Sequence, residues 1–195
     1  MQIRSFMTEA AGWRGKKAFD AIRRTPGALV IVGEYWDPVP MLSERDGVML
    51  PVSTPDAYYR FVGEEIDRLK SDLGIRSMVV LGSVPTASGV GSPMDCFGRP
   101  FLDEPSCMSH PRTNPVVMQR EKTNELLREH LPQSVTFVDP FGALCGPTDC
   151  SIISDGPLYS DSTHLSGLGS KTVMASIALT IRHQLSRDHT ENASK

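Results

Sequence analysis

Short, continuous apolar runs alternate along this chain with longer stretches of helical period. The runs are "ALVIVG" (Ala28 to Gly33), "SMVVLGSVP" (Ser77 to Pro85) and "SVTFVDP" (Ser134 to Pro140). Each is too short for an ordinary helix and apolar on successive positions, as a strand covered on both faces must be. Between them, "TEAAGWRGKKAFDAIRR" predicts a helix from near Thr8, broken by "TPG". Thr54 followed by Pro55 predicts a helix start, with a hydroxyl cap and a proline in the first turn. Tyr58, Phe61, Val62, Ile66, Leu69 and Leu73 then share one helical face, and Gly74 closes it. Asn114 and Pro115 open a further helix through "VVMQREKTNELLREHL". Val173, Ile177, Ile181 and Leu185 line a last helix at four-residue steps.

Alternation of this kind predicts an α/β fold, a three-layer α/β/α sandwich around a parallel sheet. The three runs should be adjacent parallel strands, with the last helix on them through Val173, Ile177 and Ile181. Ligands of such sheets bind beyond the carboxyl ends of the strands. The loops after the three runs are therefore the edge on which to look for chemistry. Three strands are few for a doubly wound sheet, so the expected fold lacks its first strand or strands. A long irregular segment, rich in Gly, Ser, Pro and Cys, separates the second run from about Thr113.

Composition narrows this reading. A formal net charge of −3, without a basic block, argues against nucleic acid as the main partner. No apolar run approaches the roughly 18 residues that a membrane span needs, and the N-terminus "MQIRSFMTEAAGWRGKK" has no signal-peptide core. The four cysteines are Cys96, Cys107, Cys145 and Cys150. Their even number permits two disulfides, and "CGPTDC" makes the Cys145–Cys150 closure easy; Cys96–Cys107 is the remaining pair. Free thiols and a zinc site are the competing readings. The zinc site suffers from spacings unlike a finger. No other metal or cofactor signature is present.

The chemistry concentrates in "YSDSTHLSGLGSKTVMASIALTI". A catalytic His needs an acceptor that fixes its tautomer and stabilises the imidazolium as it forms. Asp161, three residues before His164 on one loop, can fold back to the ring Nδ1. Spacing alone also permits a plainer arrangement, in which Asp161 caps a turn and His164 is an ordinary loop residue.

The wider text "FVDPFGALCGPTDC…DGPLYSDSTHLSGLGS" closely resembles the C-terminal half of SGNH (GDSL-type) domains, specifically those fused to type-3 membrane acyltransferases, which O-acetylate bacterial surface polysaccharides. The family's last block, an Asp-x-x-His pair before a Leu-Ser-x-x-Gly turn, matches Asp161, His164, Leu165, Ser166 and Gly169. The cysteine pair Cys145 and Cys150, the run-in "DGPLYSD", the run "VVLGSVP" and the stretch bounded by Cys96 and Cys107 match as well. The resemblance implies an SGNH-hydrolase-like (flavodoxin-like) domain, placed over 1–187; the polar composition of 188–195 predicts a disordered tail. It implies that Asp161 orients His164, and that His164 serves first as base for a serine hydroxyl and then as acid for the leaving group. The implied partners are an acyl donor, a polysaccharide acceptor and a membrane acyltransferase domain, placed outside the cytoplasm. Rival functions are an SGNH carbohydrate esterase and an inactive glycan-binding remnant.

Two family features do not match. No Gly-Asp-Ser occurs in the chain. Ser83, Ser88, Ser92, Ser166 and Ser170 all lack the strand-turn-helix setting of a nucleophile elbow. The expected family Gly-x-Asn-Asp block is replaced by "GEYWD", with Gly33 kept and Tyr35 where an oxyanion-hole Asn would stand. Trp36 fits the acyltransferase-fused branch, and packing at a strand end is the favoured role for Tyr35 and Trp36. The expectation is a piece of a longer protein, inactive alone because its nucleophile lies elsewhere; a short non-catalytic remnant is the alternative.

Overall fold

Capping residues define the helices. In the computed structural model, which describes residues 9–33, 36–37, 41–42, 49–50, 54–87 and 109–193, the Thr54 hydroxyl accepts the Ala57 N–H at 3.2 Å. That bond satisfies one of the donors a helix start leaves unpaired. The Asn114 side chain likewise accepts the Val116 N–H at 2.9 Å. Helix α1 spans Glu9–Arg24, α2 Pro55–Asp72 and α3 Pro115–His130. The turn Phe141–Leu144 is α4, and α5 runs Gly167–Ala193, through most of the segment expected as a polar tail. Gly74 ends α2 with φ +62°, a left-handed conformation that a side chain would oppose.

The three apolar runs form one sheet. Strands β1 (Leu29–Gly33), β4 (Ser77–Leu81) and β6 (Thr136–Val138) lie in the order β1-β4-β6 and pair in parallel. The expected adjacency and direction are found. The central strand is covered on both faces. Met78 and Val80 join Tyr58, Tyr59, Val62 and Ile66 of α2 and Leu127 of α3 in one core. Val79, on the opposite face, packs with Val138 and Ile177, with Ile181 at the rim. The sheet is therefore sandwiched between α2 and α3 on one side and α5 on the other. Val173 sits one turn before Ile177 and packs at the end of the sheet, in a cluster with Ala87, Leu144, Ile152, Leu158 and Tyr159 that Leu81 of β4 joins. The Leu185 side chain lies outside the described residues.

Two short antiparallel pairs complete the strands among the described residues: β2 (Met41–Leu42) with β3 (Met49–Leu50), and β5 (Ser109–Pro111) with β7 (Asp149–Ser151). The second pair closes the segment read from sequence as irregular. Cys145 and Cys150, the latter in β7, are joined in a disulfide. Cys96 and Cys107 lie outside the described residues. Among the described residues, no helix is long and apolar enough to cross a membrane, and no group of His, Cys, Asp and Glu could hold a metal ion.

Candidate active site

The corner is built from Tyr159 onward. The Tyr159 side chain is buried, and its hydroxyl donates to the Pro85 carbonyl at 2.6 Å. Burial pushes this phenol well above its ordinary ionisation range. Three residues on, the loop meets the segment that leaves the carboxyl end of β4. The Ser162 carbonyl accepts the Thr86 hydroxyl at 2.8 Å and the Ala87 N–H at 2.9 Å. The loop returns through a bridge between Tyr159 and Leu165 and a bond from Ser160 N–H to the His164 carbonyl at 2.9 Å. It is thereby held at the carboxyl edge of the sheet.

Helix α5 fixes the other end. The Ser166 hydroxyl accepts the Gly169 N–H at 3.1 Å and donates to the Pro157 carbonyl at 2.5 Å. Ser166 is thus a helix cap and a tie to the run-in segment at Pro157, with its hydroxyl fully engaged. Gly169 lies against the Leu158 carbonyl so closely that an added Cβ would stand 1.9 Å from that oxygen. The Leu-Ser-x-x-Gly turn owes its glycine to this contact.

Within the loop, Asp161 divides its carboxylate between two tasks. Oδ1 accepts the backbone N–H groups of Thr163 (2.8 Å) and His164 (2.7 Å). Oδ2 lies 2.8 Å from His164 Nδ1. The turn cap and the partner of the imidazole, two separate readings of the sequence, are one carboxylate. The amide of Thr163 first, then that of His164 and the His164 ring, hold the Asp161 carboxyl well below the usual carboxylate range. Thr163 Oγ1 lies 3.3 Å from both Asp161 Oδ1 and His164 Nδ1. The side chains remain open to solvent, 78% for His164 and 51% for Asp161. With Nδ1 directed at the carboxylate, a neutral ring carries its proton there and its free electron pair on Nε2.

Among the described residues, the candidate serines Ser83, Ser166 and Ser170 do not join this pair. The Ser83 hydroxyl is buried and makes no hydrogen bond among the described residues, Ser166 is engaged as above, and Ser170 donates its backbone N–H to the Ser166 carbonyl. Ser88, Ser92 and Tyr35 lie outside the described residues. Trp36 is buried in the core and donates its indole N–H to the Leu81 carbonyl at 2.7 Å, the strand-end packing role expected of it.

A second polar constellation at the same sheet edge was not read from sequence. Asn124, fully buried on α3, accepts the Ser83 N–H at 2.7 Å and donates to the Ser83 carbonyl at 2.9 Å and to Asp139 Oδ1 at 3.0 Å. Asp139 in turn accepts from the Phe141 N–H at 3.0 Å and from Arg128 at 2.9 Å. One turn earlier, Arg120 pairs with Asp37 at 3.3 Å, and Thr123 lies between Asp37 and the Tyr59 hydroxyl. The signal was present in the spacing. Val117, Arg120, Asn124 and Leu127 share one helix face, so two polar residues stand where an apolar stripe would continue.

The family model for the SGNH domain fused to AT3 (type-3 acyltransferase) domains matches residues 5–178. The chain belongs to that family. It is an acyltransferase-associated SGNH domain with an α/β sandwich fold, and the fusion in its family makes a membrane acyltransferase domain its partner. No curated protein matches the chain as a relative.

Proposed function

We propose that this SGNH domain serves a bacterial O-acyltransferase that transfers acetyl groups to surface polysaccharide through a Ser-His-Asp mechanism. The observation that carries the reading is the 2.8 Å contact between Asp161 Oδ2 and His164 Nδ1, in a domain of the acyltransferase-fused family. In this reading Asp161 fixes the tautomer that leaves Nε2 as the base. Nε2 takes the proton of a serine hydroxyl as that oxygen attacks the acyl carbonyl. The imidazolium then returns the proton to the leaving group, and the acyl-enzyme passes its acyl group to a sugar hydroxyl. The serine comes from a Gly-Asp-Ser segment outside this chain. The Cys145–Cys150 disulfide supports a site of action outside the cytoplasm, where such bonds persist.

The test uses a longer protein carrying the Gly-Asp-Ser segment. His164→Ala should abolish acetyl transfer to polysaccharide, and Asp161→Asn should lower it by roughly 10⁴-fold. The 195-residue chain alone should hydrolyse no acyl ester. Full transfer by the His164→Ala protein would end this reading, and hydrolysis in place of transfer would convert it to a carbohydrate esterase.

A further inference from the structure

The segment after β4 is held at both ends by groups that the sequence pattern did not mark. At one end Asn124 grips both backbone groups of Ser83. At the other, Pro85, Thr86 and Ala87 each bond to the loop that carries Asp161 and His164. The segment is a strap between the buried edge of the sheet and the exposed corner.

Its most consequential contact is to a single peptide group. The carbonyl of Ser162 and the N–H of Thr163 belong to one rigid plane and point in opposite directions. On one side, the Ser162 oxygen accepts two donors, Thr86 Oγ1 at 2.8 Å and Ala87 N at 2.9 Å. On the other, the Thr163 N–H donates to Asp161 Oδ1 at 2.8 Å. One donor would leave the plane free to tilt about that bond, whereas two fix its orientation. The direction of the Thr163 N–H is then set, and with it the carboxylate whose second oxygen reaches His164 Nδ1. Thr86 is only 3% exposed, so water does not readily replace its hydroxyl.

We propose that Thr86 is a positioning residue for the Asp161–His164 pair, acting through the Ser162–Thr163 peptide. Among the described residues, its hydroxyl bonds to the Ser162 carbonyl and to neither side chain of the pair. The catalytic consequence rests on the function proposed above; the positioning itself does not.

The experiment therefore has two arms. In the first, the full 195-residue chain is labelled with ¹⁵N at histidine, and the His164 ring nitrogens are observed by NMR at neutral pH. Asp161→Asn supplies the signature of a ring without its carboxylate partner. Thr86→Val, which keeps shape and loses the donor, should move the His164 signals toward that signature. Thr86→Ser, which keeps the donor, should retain the wild-type signals. Thr86→Ala is measured alongside, so that a valine that does not fit leaves the loss of the hydroxyl tested. Tyr159→Phe removes the neighbouring bond to Pro85 and should leave the His164 signals in place. A folded Thr86→Val or Thr86→Ala protein with wild-type His164 signals overturns the proposal.

In the second arm, Thr86→Val in the longer active protein should lower kcat about 10- to 100-fold with KM little changed, and Thr86→Ser should restore it. An unchanged kcat there, with the His164 signals moved, would sink the catalytic reading of the pair and leave the positioning role standing. Equal losses in the valine and serine proteins would overturn the hydroxyl's role.

Discussion

At the scale of the residue, the weight falls on one carboxylate. Asp161 closes a turn with Oδ1 and meets the imidazole with Oδ2. The spacing Asp-x-x-His made each task legible, but not their union, which depends on how the loop folds back. The two tasks can be separated. In Asp161→Asn, the side-chain oxygen can still accept the two backbone N–H groups, while the amide NH2 cannot accept a hydrogen bond from Nδ1–H. The turn should survive with its backbone amide signals near their wild-type positions, and the ring proton should move to Nε2. Asp161→Ala should lose both, and amide signals dispersed equally in the two variants would refute this division. The carboxylate also sets a pH dependence. Its folded pKa is depressed, so its contribution is fully present above the unfolded value of about 3.9 and is lost as pH falls through the lower folded value. A ¹³C titration of the Asp161 carboxyl should give a midpoint below that of an ordinary aspartate. A midpoint at or above the ordinary value would show that the two amides do not hold the anion.

Helices began where the sequence said they would, because caps are local chemistry. Thr54 and Asn114 accept the N–H groups that open α2 and α3, and neither bond depends on the rest of the fold. Thr54→Ala should cost about 1 kcal/mol, read as a shift in the denaturant midpoint at constant slope. Short elements without an apolar pattern were not legible. Strands β5 and β7 pair Ser109 with Ser151 and His110 with Cys150, without the apolar alternation that marks a strand. The face of α3 that meets the sheet edge was missed for a related reason. Asn124 is polar and fully buried, and only the tertiary fold brings Ser83 and Asp139 to its three hydrogen bonds. Asn124→Leu would keep the volume and strand both backbone groups of Ser83. Its expected cost is about 3 kcal/mol, measured by equilibrium unfolding; a loss below about 1 kcal/mol would mean the clamp relaxes onto water.

Over the whole molecule, the parallel order of β1, β4 and β6 followed from continuous apolar runs that only a doubly covered sheet can bury. The path from sheet to corner is another matter. It runs through backbone carbonyls of Pro85, Ser162 and Leu158, which leave no mark in a sequence. The glycine of the closing turn is the exception, since Gly169 admits the Leu158 carbonyl where any side chain would collide with it. The disulfide belongs to this scale as well, because it joins the end of α4 to β7, and β7 leads directly into the run toward Asp161. Cys150 is buried with Val117 and Phe141, so the bridge pins this loop to the start of α3 as well as closing it. A closure this short removes only about 2 kcal/mol of freedom from the unfolded chain in the entropy model. In a domain of this size that corresponds to a fall in Tm of about 4–8 °C. The double variant Cys145→Ala with Cys150→Ala isolates this bond from any other cysteine, which chemical reduction would not. Its Tm should fall within that range, and the unbridged loop should exchange its amide protons faster at Gly146, whose N–H bonds to the Asp149 carbonyl. An unchanged Tm with unchanged exchange would show that β5, β7 and α3 hold the loop unaided, and the bridge would then contribute nothing to the stability of the corner's foundation.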